Sequence, residues 1–270
     1  MLRSSILIIL SAQASLALAQ LDTVTIPEGN FNMGCSTNDS QCATDEGPQG
    51  GTPVFVPTFK IDRNEVTVAD YAACVEDGDC EEPVDDSDTH KYCNYGNDER
   101  DKHPVNCVDW QEAVTYCASV GGRLPFEAEW EKAARAGTET RYPWGQEATC
   151  EHAILDDGKT FGSVPNEPDG CGEDRTWPIA SRAPNAFGLY DMHGNAGEWI
   201  QNWYAPNAIS QFYAKGDLAG ATRGKKRMVR GGSWDENRPN LRSSYRNLKA
   251  PFAGRAIYGS LGFRCAYDVK

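Results

Sequence analysis

The chain has 270 residues, 40% of them hydrophobic and 10% aromatic. That is enough apolar material for a core, it excludes global disorder, and the length suits one large domain or two small ones. A net charge of −13 argues against nucleic acid and anionic membrane surfaces as partners. What remains is a soluble acidic protein, or one in which some carboxylates hold Ca²⁺.

The N-terminus reads as a processing segment. Arg3 gives it a positive start, Ile6 to Leu18 is apolar with small or polar interruptions, and Ala17-Leu18-Ala19 fits a small-residue cleavage site before Gln20. Residues 1–19 are therefore expected to be a signal peptide, and 21–270 one domain. The stretch is too short and interrupted to span a bilayer, and no later run of eighteen apolar residues exists. A secreted or periplasmic location, without a membrane span, is expected.

Val24 to Met33 reads as a strand with a turn at Pro27-Glu28-Gly29-Asn30, Ser36 to Pro53 as loop, and Phe55 to Asp62 as a second strand. Three helices follow. Thr67 with Asp70 forms a T-x-x-D cap before Tyr71, Cys74 and Val75. Asp109 with Glu112 starts a second helix carrying an Ala113, Val114, Cys117, Ala118 stripe, which Gly121 can end. The third runs from Glu127 to Ala136, with Trp130, Ala133 and Ala134 on one face and Gly137 as its stop. Its acidic first turn suits the helix dipole, and Glu131 with Arg135 forms an i,i+4 pair worth a few tenths of a kcal/mol. From Arg141 onward Gly, Pro, Asn, Asp and Trp dominate, as in long loops that are functional or held by disulfides and metals.

An even number of cysteines, ten, accompanies the export signal, which points to an oxidising compartment and a disulfide framework. No spacing is C-x-x-C, so zinc ribbons and thioredoxin-like motifs are poorly supported. The simplest pairing joins Cys35 with Cys42, Cys74 with Cys80, Cys93 with Cys107 and Cys150 with Cys171, leaving Cys117 and Cys265 to close a long loop. Sequence alone does not fix this connectivity. A long-loop bridge constrains the unfolded chain by about 4 kcal/mol in the chain-entropy account.

Gly188 to Trp199 reads GLYDMHGNAGEW. Asp191 and Glu198 supply hard oxygens, while Gly194 and Gly197 permit positive φ and let carbonyls turn inward. The segment could hold Ca²⁺ or be a plain turn with two solvated acids. It is not an EF-hand. The histidines His90, His103, His152 and His193 show no metal-ligand spacing and read as surface or loop residues. Ser233 lacks a G-x-S-x-G elbow and Gly231-Gly232 is no phosphate loop.

Taken with VRGGSW (Val229 to Trp234), LGFRCA near the C-terminus, GGRLPFEAEWEKAARAG and YPWG (Tyr142 to Gly145), this block resembles the formylglycine-generating enzyme, or sulfatase-modifying factor, family. The resemblance runs from about Ile26 to Ala266. It implies an α+β fold related to C-type lectins, low in regular structure and stapled by disulfides and calcium. It implies structural Ca²⁺ on Asp191, Gly194, Ala196 and Glu198, the middle two through carbonyls. A second site would use Leu155, Asp169 and Cys171, but Ile154 stands where an Asn is expected. It also implies a Cys117–Cys265 bridge. Phe126 replaces the family's Thr, losing a capping hydroxyl.

The family's two Cu(I)-binding cysteines follow the GGS motif five residues apart. Here those positions are Glu236, a hard ligand, and Leu241, no ligand. No Cu(I) and no copper oxidase chemistry are expected. The resemblance places a substrate groove beside this segment, where Ser233, Trp234, Glu236, Arg242 and Arg246 could bind a peptide, glycan or small ligand. The competing reading puts Trp234 in the core and leaves the arginines solvated or salt-bridged to acids. Two functions follow as expectations: a monomeric secreted binding or accessory module without the oxidase, or a divergent oxidoreductase of the siderophore-maturation or protein-cysteine-oxidation type.

Overall fold

The computed structural model describes residues 22–83, 92–157, 171, 173–251 and 259–269. The expected signal peptide, His90 and Asp169 lie outside them.

Each of the two expected N-terminal strands is split at a proline. Strands β1 (Thr23–Ile26) and β2 (Gly29–Met33) flank Pro27-Glu28, and β3 (Thr52–Val56) and β4 (Phe59–Asp62) flank Pro57-Thr58. Proline has no N–H to give a ladder, so the chain changes sheet there. β1 pairs antiparallel with β4, and β2 with β3. Strand β9 (Ala266–Asp268) completes the first sheet beside β4.

All three helices start where local chemistry places them. Helix α1 (Val68–Glu76) has Thr67 accepting from the Asp70 N–H and Asp70 accepting from the Thr67 N–H. Helix α2 (Trp110–Ser119) has the same box between Asp109 and Glu112. Helix α3 (Glu127–Arg135) lacks a capping hydroxyl, and Glu129 accepts from the Phe126 N–H instead. Its chain turns left-handed at Ala136 (φ 46°), one residue before the expected Gly137.

The larger sheet has the order β7-β6-β5-β8, with β5 Gly197–Trp203, β6 Arg227–Arg230, β7 Asn247–Lys249 and β8 Leu261–Gly262. One apolar cluster joins Trp130, Ala133 and Ala134 of α3 to Ile26, Met33, Phe59 and Ile200. A second joins Tyr71, Tyr116 and Leu124 to Trp199 and Phe263. Five disulfides bridge Cys35–Cys42, Cys74–Cys80, Cys93–Cys107, Cys150–Cys171 and Cys117–Cys265. The last spans 148 residues and ties α2 to the chain just before β9.

Helix α3 departs from its sequence reading. It is buried on every side, charged residues included. Glu131 bonds Arg135 at 2.8 Å and also Arg230, and all three side chains are at most 4% exposed. Glu127 takes Arg246 at 2.7 Å and lies 3.9 Å from Arg230. The Glu131–Arg135 pair is therefore a core ion pair, because α3 runs through the interior rather than along the surface.

Removing one partner of a buried pair strands the other charge. Arg230→Ala should cost about 3–5 kcal/mol of unfolding free energy, measured by urea denaturation. A change below about 1 kcal/mol would show that the network is incidental.

Candidate functional site

The loop ahead of β5 is shaped by three left-handed residues: Asp191 (φ 54°), Gly194 (φ 82°) and Asn195 (φ 61°). Gly194 is obligatory, since a Cβ there would sit 2.2 Å from the Ile154 carbonyl oxygen. Gly197 is not left-handed, contrary to expectation. It serves close packing, because its Cβ would lie 2.9 Å from Leu261.

Glu198 is fully buried. Its carboxylate takes the Arg264 guanidinium at 2.8–2.9 Å and the Trp130 indole N–H at 2.7 Å. Asp191 accepts from the Ala180 N–H at 2.7 Å. Beside them lies Glu65, which accepts from the Ala196 N–H at 2.8 Å and the Asn195 amide at 2.6 Å. Burial pushes the Asp191 carboxyl up to about 6, with the Glu198 charge adding to the rise. Burial, then the charges of Asp191 and Glu198, push Glu65 well above the ordinary range. Three carboxylates thus share essentially one close guanidinium, a concentration of negative charge that favours protonation or a cation.

Glu65, Trp130 and Arg264 complete this cluster, and the sequence did not single them out for it. Arg264 lies inside the LGFRCA block, but Glu65 is 130 residues from Asn195 and carries no local signal.

Whether calcium fits can be judged from the donor set. The Gly194 and Ala196 carbonyls, both on buried residues, accept no hydrogen bond from the described residues. No three His, Cys, Asp or Glu side chains among the described residues form a ready-made metal cage. Two uncommitted carbonyls and a surplus of carboxylate are nonetheless the hard-oxygen mixture that Ca²⁺ takes. The donor types of the loop suit calcium, although the Glu198 carboxylate is already bonded to Arg264 and Trp130. At the second expected site the Leu155 carbonyl accepts from the Cys171 N–H at 3.1 Å, and the Ile154 carbonyl accepts from the Asn195 N–H at 2.8 Å.

The positions after Gly231-Gly232-Ser233 hold no thiol. Leu241 is fully buried against Tyr142, Ala148, Ala153 and Leu155. Glu236 accepts from the Asn247 amide at 3.0 Å through one oxygen, while the other is buried without a partner. Burial pushes its carboxyl up to about 7. Ser233, 1% exposed, also has an unpartnered hydroxyl.

Arg242 and Arg246 do not face a groove. Arg242 forks onto Glu46 at 2.6 and 2.8 Å and reaches Asp39 at 3.0 Å. Arg246 forks onto Glu127 at 2.7 and 3.0 Å. Trp234 is 3% exposed, its N–H donates to the Gly259 carbonyl, and its ring lies 5.4 Å from Tyr92. The salt-bridge and core reading of these three is the observed one, because buried acids from distant segments meet the arginines.

Two histidines are likewise core residues rather than surface ones. His193 donates from Nδ1 to the Leu241 carbonyl at 2.7 Å, and His103 bonds the Thr176 hydroxyl at 3.0 Å. Burial lowers both to about 4. His152 stacks on Trp144 at 5.0 Å.

A sulfatase-modifying factor enzyme 1-like domain matches residues 12–269. The chain belongs to that family. Mouse formylglycine-generating enzyme is 31% identical over 298 residues, covering 93% of this chain and 76% of the mouse protein. The serine/threonine-protein kinase Pkn1 of Chlamydia trachomatis is 38% identical over 171 residues, but this chain spans only 25% of that kinase. Among solved structures, PvdO from Pseudomonas aeruginosa superposes with a TM-score of 0.72 and 28% identity, covering 92% of this chain and 94% of that one. Treponema denticola variable protein 1 shares the fold at a TM-score of 0.65 and 22% identity, covering 91% and 94%.

Glu236 gives a pH signature. Its folded carboxyl holds a proton to about pH 7 while an ordinary glutamate loses it near 4.5. The native state therefore binds more protons across that window, so this group's contribution to stability falls as pH rises through it. Glu236→Gln should flatten the stability–pH slope between pH 5 and 8, measured by chemical denaturation at stepped pH. An unchanged slope would mean that Glu236 titrates normally.

Proposed function

We propose that this chain is an exported binding or accessory module on the formylglycine-generating enzyme scaffold, without copper oxidase chemistry. One observation carries the reading. Every cysteine is committed: ten in the sequence, all in the five disulfides, with Glu236 and Leu241 at the copper positions. Cu(I) selects soft thiolates, and a glutamate with a buried leucine offers none. A disulfide-rich chain in which no helix of the described residues is long and apolar enough to cross a membrane suits an extracellular or periplasmic setting.

On this reading the ligand, a peptide, glycan or small molecule, meets the face around the exposed Asp235 and the part-buried Glu236. Arg242 and Arg246 support that face from beneath by ion pairing. Calcium on Asp191, Glu198 and the Gly194 and Ala196 carbonyls would neutralise the acid cluster and fix the loop that leads into β5.

The second reading, a divergent oxidoreductase, draws on the 28% identity to PvdO across 92% of the chain and on a more distant relative, the hercynine oxygenase of Mycolicibacterium smegmatis, 28% identical over 278 residues. A near-neutral Glu236 with one oxygen unpartnered is the residue such a chemistry would use as its acid or base.

Two measurements test the first reading. Chelator should lower the melting temperature of the wild-type protein, and Asp191→Ala should lower it without chelator and blunt the calcium response. A wild-type melt indifferent to chelator and to added calcium would remove the ion. Copper(I) titration should show no tight stoichiometric site, and a sulfatase-type cysteine peptide should not be converted to the aldehyde. Turnover of that peptide would restore the oxidase.

A further inference from the structure

The negative charge is unevenly spread. Between Ala214 and Lys226 lie four cations, Lys215, Arg223, Lys225 and Lys226, against one acid, Asp217. The segment therefore carries +3, and the rest of the chain −16 to give the total of −13. All four cations are exposed. Among the described residues none of the four forms an ion pair with an acid. Asp217 faces its own turn, accepting from the Gly220 N–H at 3.1 Å.

This basic segment is fastened at several points. The Asn202 amide donates to the Leu218 and Ala219 carbonyls at 2.8 and 2.9 Å. The Lys226 carbonyl accepts from the Tyr204 N–H at 2.9 Å. At its base the Arg227 guanidinium lies 3.5 Å from the ring centres of both Trp110 and Trp203. Gly224 passes so close over Trp203 that a Cβ would lie 3.1 Å from it. The cations are thus presented on an anchored loop, which lowers the ordering entropy lost when a partner binds.

We propose that the Ala214–Lys226 loop is a docking surface for a sulfated polysaccharide. It lies at the opposite end of β6 from Glu236 and does not depend on the groove or on calcium. Exposed lysines bind weakly one at a time, so an open cationic loop needs a dense polyanion whose condensed counterions are released on contact. Acidic peptides carry lower charge density. A duplex nucleic acid or an anionic bilayer is broad enough to meet the −16 of the remaining surface, whereas a thin sulfated chain can follow the loop alone.

The probe is heparin, with the full chain. Wild-type protein should be retained on immobilised heparin at low salt and released as salt rises. The R223Q/K225Q/K226Q variant, if its melting temperature matches wild type, should bind at least ~10-fold more weakly at low salt, with a log-affinity against log-salt slope shallower by about three. A K60Q/K102Q control, removing two exposed lysines elsewhere, should bind as wild type does. Should the triple variant not fold, heparin protection of Lys225 and Lys226 from acetylation in the wild-type protein tests the same surface. Absence of wild-type retention, equal retention of the triple variant, or no protection would overturn the proposal. So would tighter binding to polyglutamate, duplex DNA or phosphatidylglycerol vesicles than to heparin.

Discussion

The fold depends on a set of guanidinium–carboxylate pairs buried around α3. Glu127 and Glu131 sit in the interior, where an unpaired carboxylate would be prohibitively desolvated. They are tolerated because Arg135 on the same helix, Arg230 on β6 and Arg246 beyond it reach them. Arg230 also donates to the Ser243 and Ser244 carbonyls, which fixes the segment after β6. Trp130 lies beneath the Arg230 guanidinium at 5.3 Å and donates to Glu198. The ion pairs of the core and the acid cluster of the Asp191 loop are therefore parts of one contiguous arrangement.

The same kind of pairing holds the segment after Gly231-Gly232-Ser233. There Arg242 pairs with Glu46 and Asp39, and Arg246 with Glu127. Leu241 packs into an apolar cluster, and burial pushes the Glu236 carboxyl up to about 7.

Local chemistry was readable from the chain. Thr67 with Asp70 and Asp109 with Glu112 act over three residues, so spacing alone fixes those helix starts. The four short-range cystine pairs match the simplest pairing of sequence neighbours, which the chain alone did not fix, whereas the Cys117–Cys265 bridge rested on what the other eight left over and on the family resemblance. The breaks at Pro27 and Pro57 come from a missing N–H, although the sheets on either side of them could not be read from the chain. Less legible were the burial of α3, the core positions of His103 and His193, and the inward turn of Arg242 and Arg246. An arginine at i,i+4 from an acid looks the same in a sequence whether the helix lies on the surface or in the core.

The sequence by itself determined the helix starts, the run of oxygen donors before β5 and the absence of a thiol in the segment after Gly231-Gly232-Ser233, since each depends on residue identity or near-neighbour spacing. Tertiary structure alone decided which charges became buried partners. Glu65 joins Asp191 and Glu198, and Arg264 answers all three, only because strands far apart in the chain converge on one loop. The physical reason is that desolvation, which governs what a carboxylate or guanidinium can do, is a property of where a side chain ends up.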